Sequence, residues 1–226
     1  KIAELIRAAI ESKGRARIVV STGSSQFEMF SALIKEEIDW TRVIMFHLDE
    51  YVGLPESHIA SFRKYLKERF VSLVPIKEAH FVNGEGDIDK NIKELTIELR
   101  KEPIDVGIIG IGENGHIAFN DPPADFTTDE AYKVVVLDTK CRMQQVGEGW
   151  FETIDDVPEK AISMMPKEIM KAEHIVTVAP HSVKAKAIYD TITHSVSPDV
   201  PATLLKTHPD WNLFIDDDSA AMLFGK

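Results

Sequence analysis

Four short stretches of this chain carry side chains able to move protons or to hold an anion. The densest is Gly110-Ile-Gly-Glu-Asn-Gly-His-Ile-Ala-Phe-Asn-Asp-Pro-Pro123, where His116, Asn114, Asn120 and Asp121 share a glycine-rich turn. Three glycines let a backbone turn sharply, and polar loops on a rigid scaffold are where function concentrates. His116 with Asp121 reads as a base oriented by an acid, or as half of a metal site. No His, Cys or carboxylate spacing in the sequence completes such a site, so no metal is expected. Idle backbone capping by the same polar groups is the bland alternative.

The other three stretches are simpler. Thr22-Gly-Ser-Ser25 places small residues between a strand and a helix. Its exposed N–H groups suit a phosphate, although Ser and Gly at a helix start also serve as plain caps. It is neither a Walker loop nor Gly-x-Gly-x-x-Gly, so no nucleotide cofactor is expected. Asp49-Glu50-Tyr51 sets two carboxylates after an apolar run; such acids are commonly solvated, but one held out of water has a raised pKa and acts as a general base. In Ser182-Val-Lys-Ala185, Lys184 is either a solvated lysine or the counter-charge of a phosphate. There is no Gly-x-Ser-x-Gly elbow, which argues against a serine hydrolase.

These stretches are positioned by alternating elements. Apolar, β-branched runs at Arg17–Ser21, Val43–Phe46, Val106–Ile109, Lys133–Leu137, Ala161–Ser163, His174–Val178 and Asn212–Ile215 read as strands. Helical spacing marks Ile2–Ile10, Gln26–Lys35, Phe62–Phe70 after a Ser61 cap, Ile92–Leu99, a helix from Pro166 to near Ala172, and Ser182–Tyr189. Val200–Leu205 reads as helical after its proline. The alternation predicts one α/β domain over residues 1–226: a three-layer α/β/α, Rossmann-like fold with a mainly parallel sheet and helices on both faces. Ligands of such sheets bind at the carboxyl ends of the strands, and all four polar stretches follow strands.

Composition narrows the partners. At 226 residues and 44% hydrophobic content the chain is long enough for a large buried core. A net charge of −11 argues against a nucleic-acid or anionic-membrane surface, while leaving room for a local anion pocket. The single cysteine, Cys141, cannot form an intramolecular disulfide and fits a reducing, cytoplasmic setting. No apolar run nears the ~18 residues of a membrane span, and the amino terminus has no signal-peptide pattern. A small sugar phosphate is the expected partner, and a homo-oligomer is left open.

Leu48-Asp-Glu-Tyr-Val-Gly-Leu54, the loop Gly112 to Pro122 and Val183-Lys-Ala185 together resemble the glucosamine-6-phosphate deaminase (isomerase) family over most of the chain. The 6-phosphogluconolactonases share that fold and carry a different run after the Gly-His pair. The resemblance implies conversion of glucosamine 6-phosphate and water to fructose 6-phosphate and ammonia, without metal or nucleotide. It makes Asp49 the base that moves a proton between C2 and C1. It gives His116 the ring opening, with Asn114 and Asp121 in support, and gives Thr22, Gly23, Ser24 and Lys184 the phosphate.

Three positions depart from the family pattern. Asn114 stands where many members carry Asp, so the carboxylate that orients His116 is either lost or replaced by Asp121. Asp121 stands where Glu is usual, one methylene shorter. In Asp138–Gly149 many members have two arginines about five residues apart, whereas here Arg142 is followed by Gly147 at the second position. Galactosamine 6-phosphate, a phosphorylated sugar lactone and a non-catalytic sugar-phosphate sensor are the competing ligand classes.

Overall fold

The structure is a computed structural model and describes residues 1–224. The strands, none longer than five residues, are β1 (Ala16–Val20), β2 (Val43–His47), β3 (Asp49–Tyr51), β4 (Glu78–His80), β5 (Val106–Ile108), β6 (Tyr132–Val136), β7 (Lys160–Met164), β8 (His174–Val178) and β9 (Trp211–Phe214). The helices are α1 (Ile2–Lys13), α2 (Phe27–Leu33), α3 (Phe62–Arg69), α4 (Ile88–Leu99), α5 (Thr139–Gly147), α6 (Pro166–Ile169), α7 (Ala185–Thr193) and α8 (Ala221–Phe224). Short 3-10 turns at Ser24–Gln26 and Ser182–Lys184 lead into α2 and α7, and another covers Pro201–Thr207.

Six strands form one sheet in the order β4-β2-β1-β5-β8-β9, and every pairing in it is parallel. Alternation along β1 shows why both faces are covered. Ile18 and Val20 join a cluster with Ile6 of α1, Phe30 of α2 and Leu66 of α3. Val19 points the other way, into a cluster with Leu95 and Leu99 of α4 and Ile188 of α7. A parallel sheet covered on both faces needs strands apolar throughout, and all five residues of β1 are buried. The three-layer α/β/α architecture expected from the sequence is the one observed.

The strand readings hold, and the structure adds their partners. The runs at Lys133–Leu137 and Ala161–Ser163 do not extend the parallel sheet. They become β6 and β7 and pair antiparallel, with β3 on the other side of β7, in a separate three-stranded sheet. Periodicity identifies a strand but says nothing about its partner. The two sheets meet at Leu48, whose N–H donates to Val20 O of β1 at 3.2 Å and whose carbonyl accepts from Met164 N of β7 at 2.9 Å. Residue 49 is therefore the first beyond the parallel sheet, at its carboxyl edge.

The segment from Asp138, left without an element by the sequence pattern, is helical: Asp138 caps α5 by accepting from Cys141 N at 2.6 Å. The helix begun by Pro166 is shorter than expected and stops at Ile169. No described helix is long and apolar enough to cross a membrane.

Candidate active site

The carboxyl ends of β1, β2, β5 and β8 open on one cleft with ≈ 760 Å³ of space, some of it continuous with solvent. Thr22, Gly23, Ser24, Asp49, His116 and Lys184 all line it. Asn114 and Asp121 do not reach the cleft wall.

Asp49 opens β3 and is 5% exposed. Among the described residues no hydrogen bond reaches its carboxylate. Burial pushes its pKa well above the ordinary value, and the adjacent Glu50 adds to the effect. Glu50 points the opposite way. It accepts from Ser61 Oγ at 2.9 Å and from the Phe62 and Arg63 N–H groups at 3.2 and 2.9 Å, with the Arg63 guanidinium 3.3 Å away. Two adjacent carboxylates thus divide their work. Glu50 clamps the start of α3, where free N–H groups favour an anion, and Asp49 alone faces the cleft.

The turn after β1 is shaped by Gly23, whose φ of 114° only glycine adopts without strain. Tyr65 of α3 donates its hydroxyl to Gly23 O at 3.1 Å. Among the described residues no hydrogen bond engages the N–H groups of Thr22, Gly23 or Ser24, so these donors are free for a ligand. Lys184 reaches the same end from the turn before α7. It is 7% exposed and forms no ion pair with a described residue; burial lowers its pKa, against the opposing charges of Glu148 and Glu113.

The loop after β5 is held from behind. Ser21 Oγ accepts from Gly110 N at 3.0 Å. Asn120 donates to Ile117 O, Ser163 Oγ and Met164 O at 2.8 to 3.1 Å, which ties the loop to β7. Asn120 is thus a structural tie. His116 stands in front with Nδ1 3.2 Å from Asp121 Oδ1, although its N–H is not aimed in line for a full hydrogen bond. Asn114 braces both partners: its Oδ1 accepts from His116 N at 3.0 Å and its Nδ2 donates to Asp121 Oδ1 at 3.2 Å. Burial alone would raise the Asp121 carboxyl. The neighbouring His116, the Asp138 N–H and Asn114 outweigh it and hold the pKa below its ordinary value.

Three features escape the sequence pattern. Gly112 lies so close to the imidazole that an added Cβ would stand 2.3 Å from His116 Cε1 and Nε2. His47, at the end of β2, is fully buried, and that burial with the charge of Arg63 pushes its pKa down to about 3, so it is a neutral core group. Cys141 of α5 comes beside Asp121, so that donor atoms of His116, Asp121 and Cys141 lie within 4.8 Å of one another. The fold thus supplies the third metal donor that spacing does not reveal. Burial, then the charges of Asp121 and Asp138, raise the Cys141 thiol far above its ordinary range, so that it is no nucleophile at neutral pH.

Residues 1–213 match the family model described as glucosamine-6-phosphate isomerases/6-phosphogluconolactonase. The chain belongs to this family. Two relatives, each called glucosamine-6-phosphate deaminase, bear this out across its length. That of Listeria welshimeri is 35% identical, covering 99% of this chain and 94% of the relative. That of Thermoanaerobacter pseudethanolicus is 36% identical, covering 99% and 90%. Among solved structures, a monomeric glucosamine-6-phosphate deaminase superposes with a TM-score of 0.87 at 28% identity, covering 98% of this chain and 94% of that one. The 6-phosphogluconolactonase of Thermotoga maritima gives 0.79 at 16% identity over 95% and 91%, a likeness of fold. Both superpose over nearly the whole chain and share its fold, so the chemistry rests on the side chains.

Proposed function

We propose that this chain converts a hexosamine 6-phosphate, with glucosamine 6-phosphate the substrate expected, and water to the ketose 6-phosphate and ammonia. The observation that carries this reading is Asp49, a buried carboxylate without a protein partner, facing the same cleft as His116. Removing a proton next to a carbonyl needs one positioned base of raised pKa, and ring opening needs a second group that exchanges a proton.

The phosphate sits on the free N–H groups of Thr22, Gly23 and Ser24 with Lys184 as counter-charge, which leaves C1 and C2 toward Asp49 and His116. His116, held by Asp121, exchanges a proton with the ring oxygen, and the pyranose opens to the aldehyde. Asp49 then takes the C2 proton while the aldehyde oxygen takes one up from water, forming an enolamine, and Asp49 returns its proton to C1, leaving the protonated imine at C2. The resulting imine at C2 adds water and releases ammonia, leaving the ketone. Each group acts on a stated atom, and the aldose-to-ketose change is internal, so no electron acceptor is required. The whole-length relatives called deaminases support this net reaction.

The test is direct. Glucosamine 6-phosphate is incubated with the protein, and ammonia and ketose phosphate are measured together. Stoichiometric release of both supports the reading, and a parallel assay with galactosamine 6-phosphate sets the preference at C4. Hydrolysis of a phosphorylated sugar lactone without ammonia would replace the reading with a lactonase. Binding of the sugar phosphate without turnover would replace it with a sensor.

A further inference from the structure

Glu148 stands at the anchoring end of the cleft with no part in the chemistry above. Its carboxylate accepts from Gln144 Nε2 at 2.7 Å, from Trp150 Nε1 at 3.1 Å and from Ser24 Oγ at 3.4 Å. It lines the same cleft as Lys184, and after burial its charge is the largest influence on that ammonium. The two do not form a direct ion pair, so Glu148 acts on Lys184 through space. The end of the cleft that supplies a buried cation thus also carries a resident anion. A phosphate dianion placed beside Ser24 and Lys184 meets like charge in a partly desolvated setting, where repulsion is weakly screened.

The surroundings allow the carboxylate to withdraw. Its contact to Ser24 is long for an O–H···O bond and correspondingly weak. Glu148 is flanked by Gly147 and Gly149; a Cβ added at either would meet nothing within 4 Å, so the backbone there is open. Gly149 also takes a left-handed φ of 79°.

We propose that Glu148 is a specificity-determining residue for the phosphate end of the substrate. Its carboxylate occupies Ser24 and repels the phosphate that Lys184 attracts, and the sugar phosphate binds by displacing it from Ser24. This rests on the sugar-phosphate reading above. Affinity for any small anion is then set below what the loop amides and Lys184 alone would give.

The experiment is calorimetric titration of inorganic phosphate into the wild type and Glu148→Gln, with steady-state kinetics on glucosamine 6-phosphate alongside. Glu148→Gln should bind phosphate about tenfold more tightly, as removal of one nearby like charge predicts. Its KM should fall by more than kcat changes. Adding Lys184→Ala to Glu148→Gln should abolish the gain. Equal or weaker phosphate binding by Glu148→Gln, or no binding by either protein, would overturn the proposal; a merely structural role for Glu148 would weaken binding and lower Tm together. Absence of ammonia release by the wild type, with tighter phosphate binding by Glu148→Gln, would overturn the deaminase reading and leave the Glu148 assignment standing.

Discussion

His116 Nδ1 lies 3.2 Å from Asp121 Oδ1, and the same ring rests against the bare Cα of Gly112 on its other side. The imidazole is thus fixed by a carboxylate and by the absence of a side chain. Gly112 has no left-handed φ, so alanine is tolerated by its backbone. Gly112→Ala is expected to fold with little change in Tm while displacing the ring and lowering kcat on the order of 100-fold. Unchanged kcat would show that the ring position is not critical.

Asp121→Asn keeps the shape of the pair and removes its charge. Because the Asp121 pKa is lowered in the folded protein, its carboxylate stabilises the fold above the unfolded pKa, and that contribution disappears only as pH falls through the folded value. The pair is therefore intact at neutral pH. Asp121→Asn should slow turnover on the pyranose by about 10- to 100-fold, and His116→Gln should slow it at least as much. Both variants should recover on open-chain substrate; equal losses on the two forms would remove the ring-opening role.

Asp49→Asn should abolish ammonia release, by about 1,000-fold or more, while the protein stays folded. The Asp49 pKa is raised on folding, so protonated Asp49 suits the fold, and stability is lost as pH rises through the folded value. Denaturation of wild type and Asp49→Asn should show the variant gaining relative stability from about pH 4 upward. A stability difference independent of pH would mean that the carboxylate is not desolvated.

Lys184→Met should raise the KM for the sugar phosphate about 10- to 100-fold with a smaller change in kcat. Its pKa is lowered in the folded protein, so the buried ammonium costs stability at neutral pH and the cost fades as pH rises through the folded value. Lys184→Met should therefore match or exceed the wild-type Tm, the trade between stability and function seen at binding sites. A KM that does not move would leave the phosphate without its counter-charge.

Glu50 offers a contrast with its neighbour. Its side chain is fully buried against Arg63 and three hydrogen-bond donors of the α3 start. Glu50→Ala leaves those donors unmatched, while the guanidinium keeps its ion pair with Glu85 at 2.7 Å, and should cost about 1–3 kcal/mol in chemical denaturation. A cost under about 1 kcal/mol would show that water replaces the carboxylate.

The local pattern of the chain carried the strands β1, β2, β5 and β8, the glycine turns that follow β1 and β5, and the polar side chains just beyond all four strands. Backbone preference and side-chain type are local properties, and the parallel arrangement that brings four strand ends to one edge follows from the alternation of elements. What the sequence could not carry is partnership across the fold. Asp49 and Glu50 are identical in local setting, yet one faces the cleft and the other clamps a helix, because Leu48 joins two different sheets just before them. The same holds for Cys141 beside Asp121, and for Glu148 meeting Ser24 across 124 positions of sequence. Desolvation and charge pairing depend on which surfaces the packed chain excludes from water, so only the tertiary structure decides which acid becomes a base and which becomes a brace.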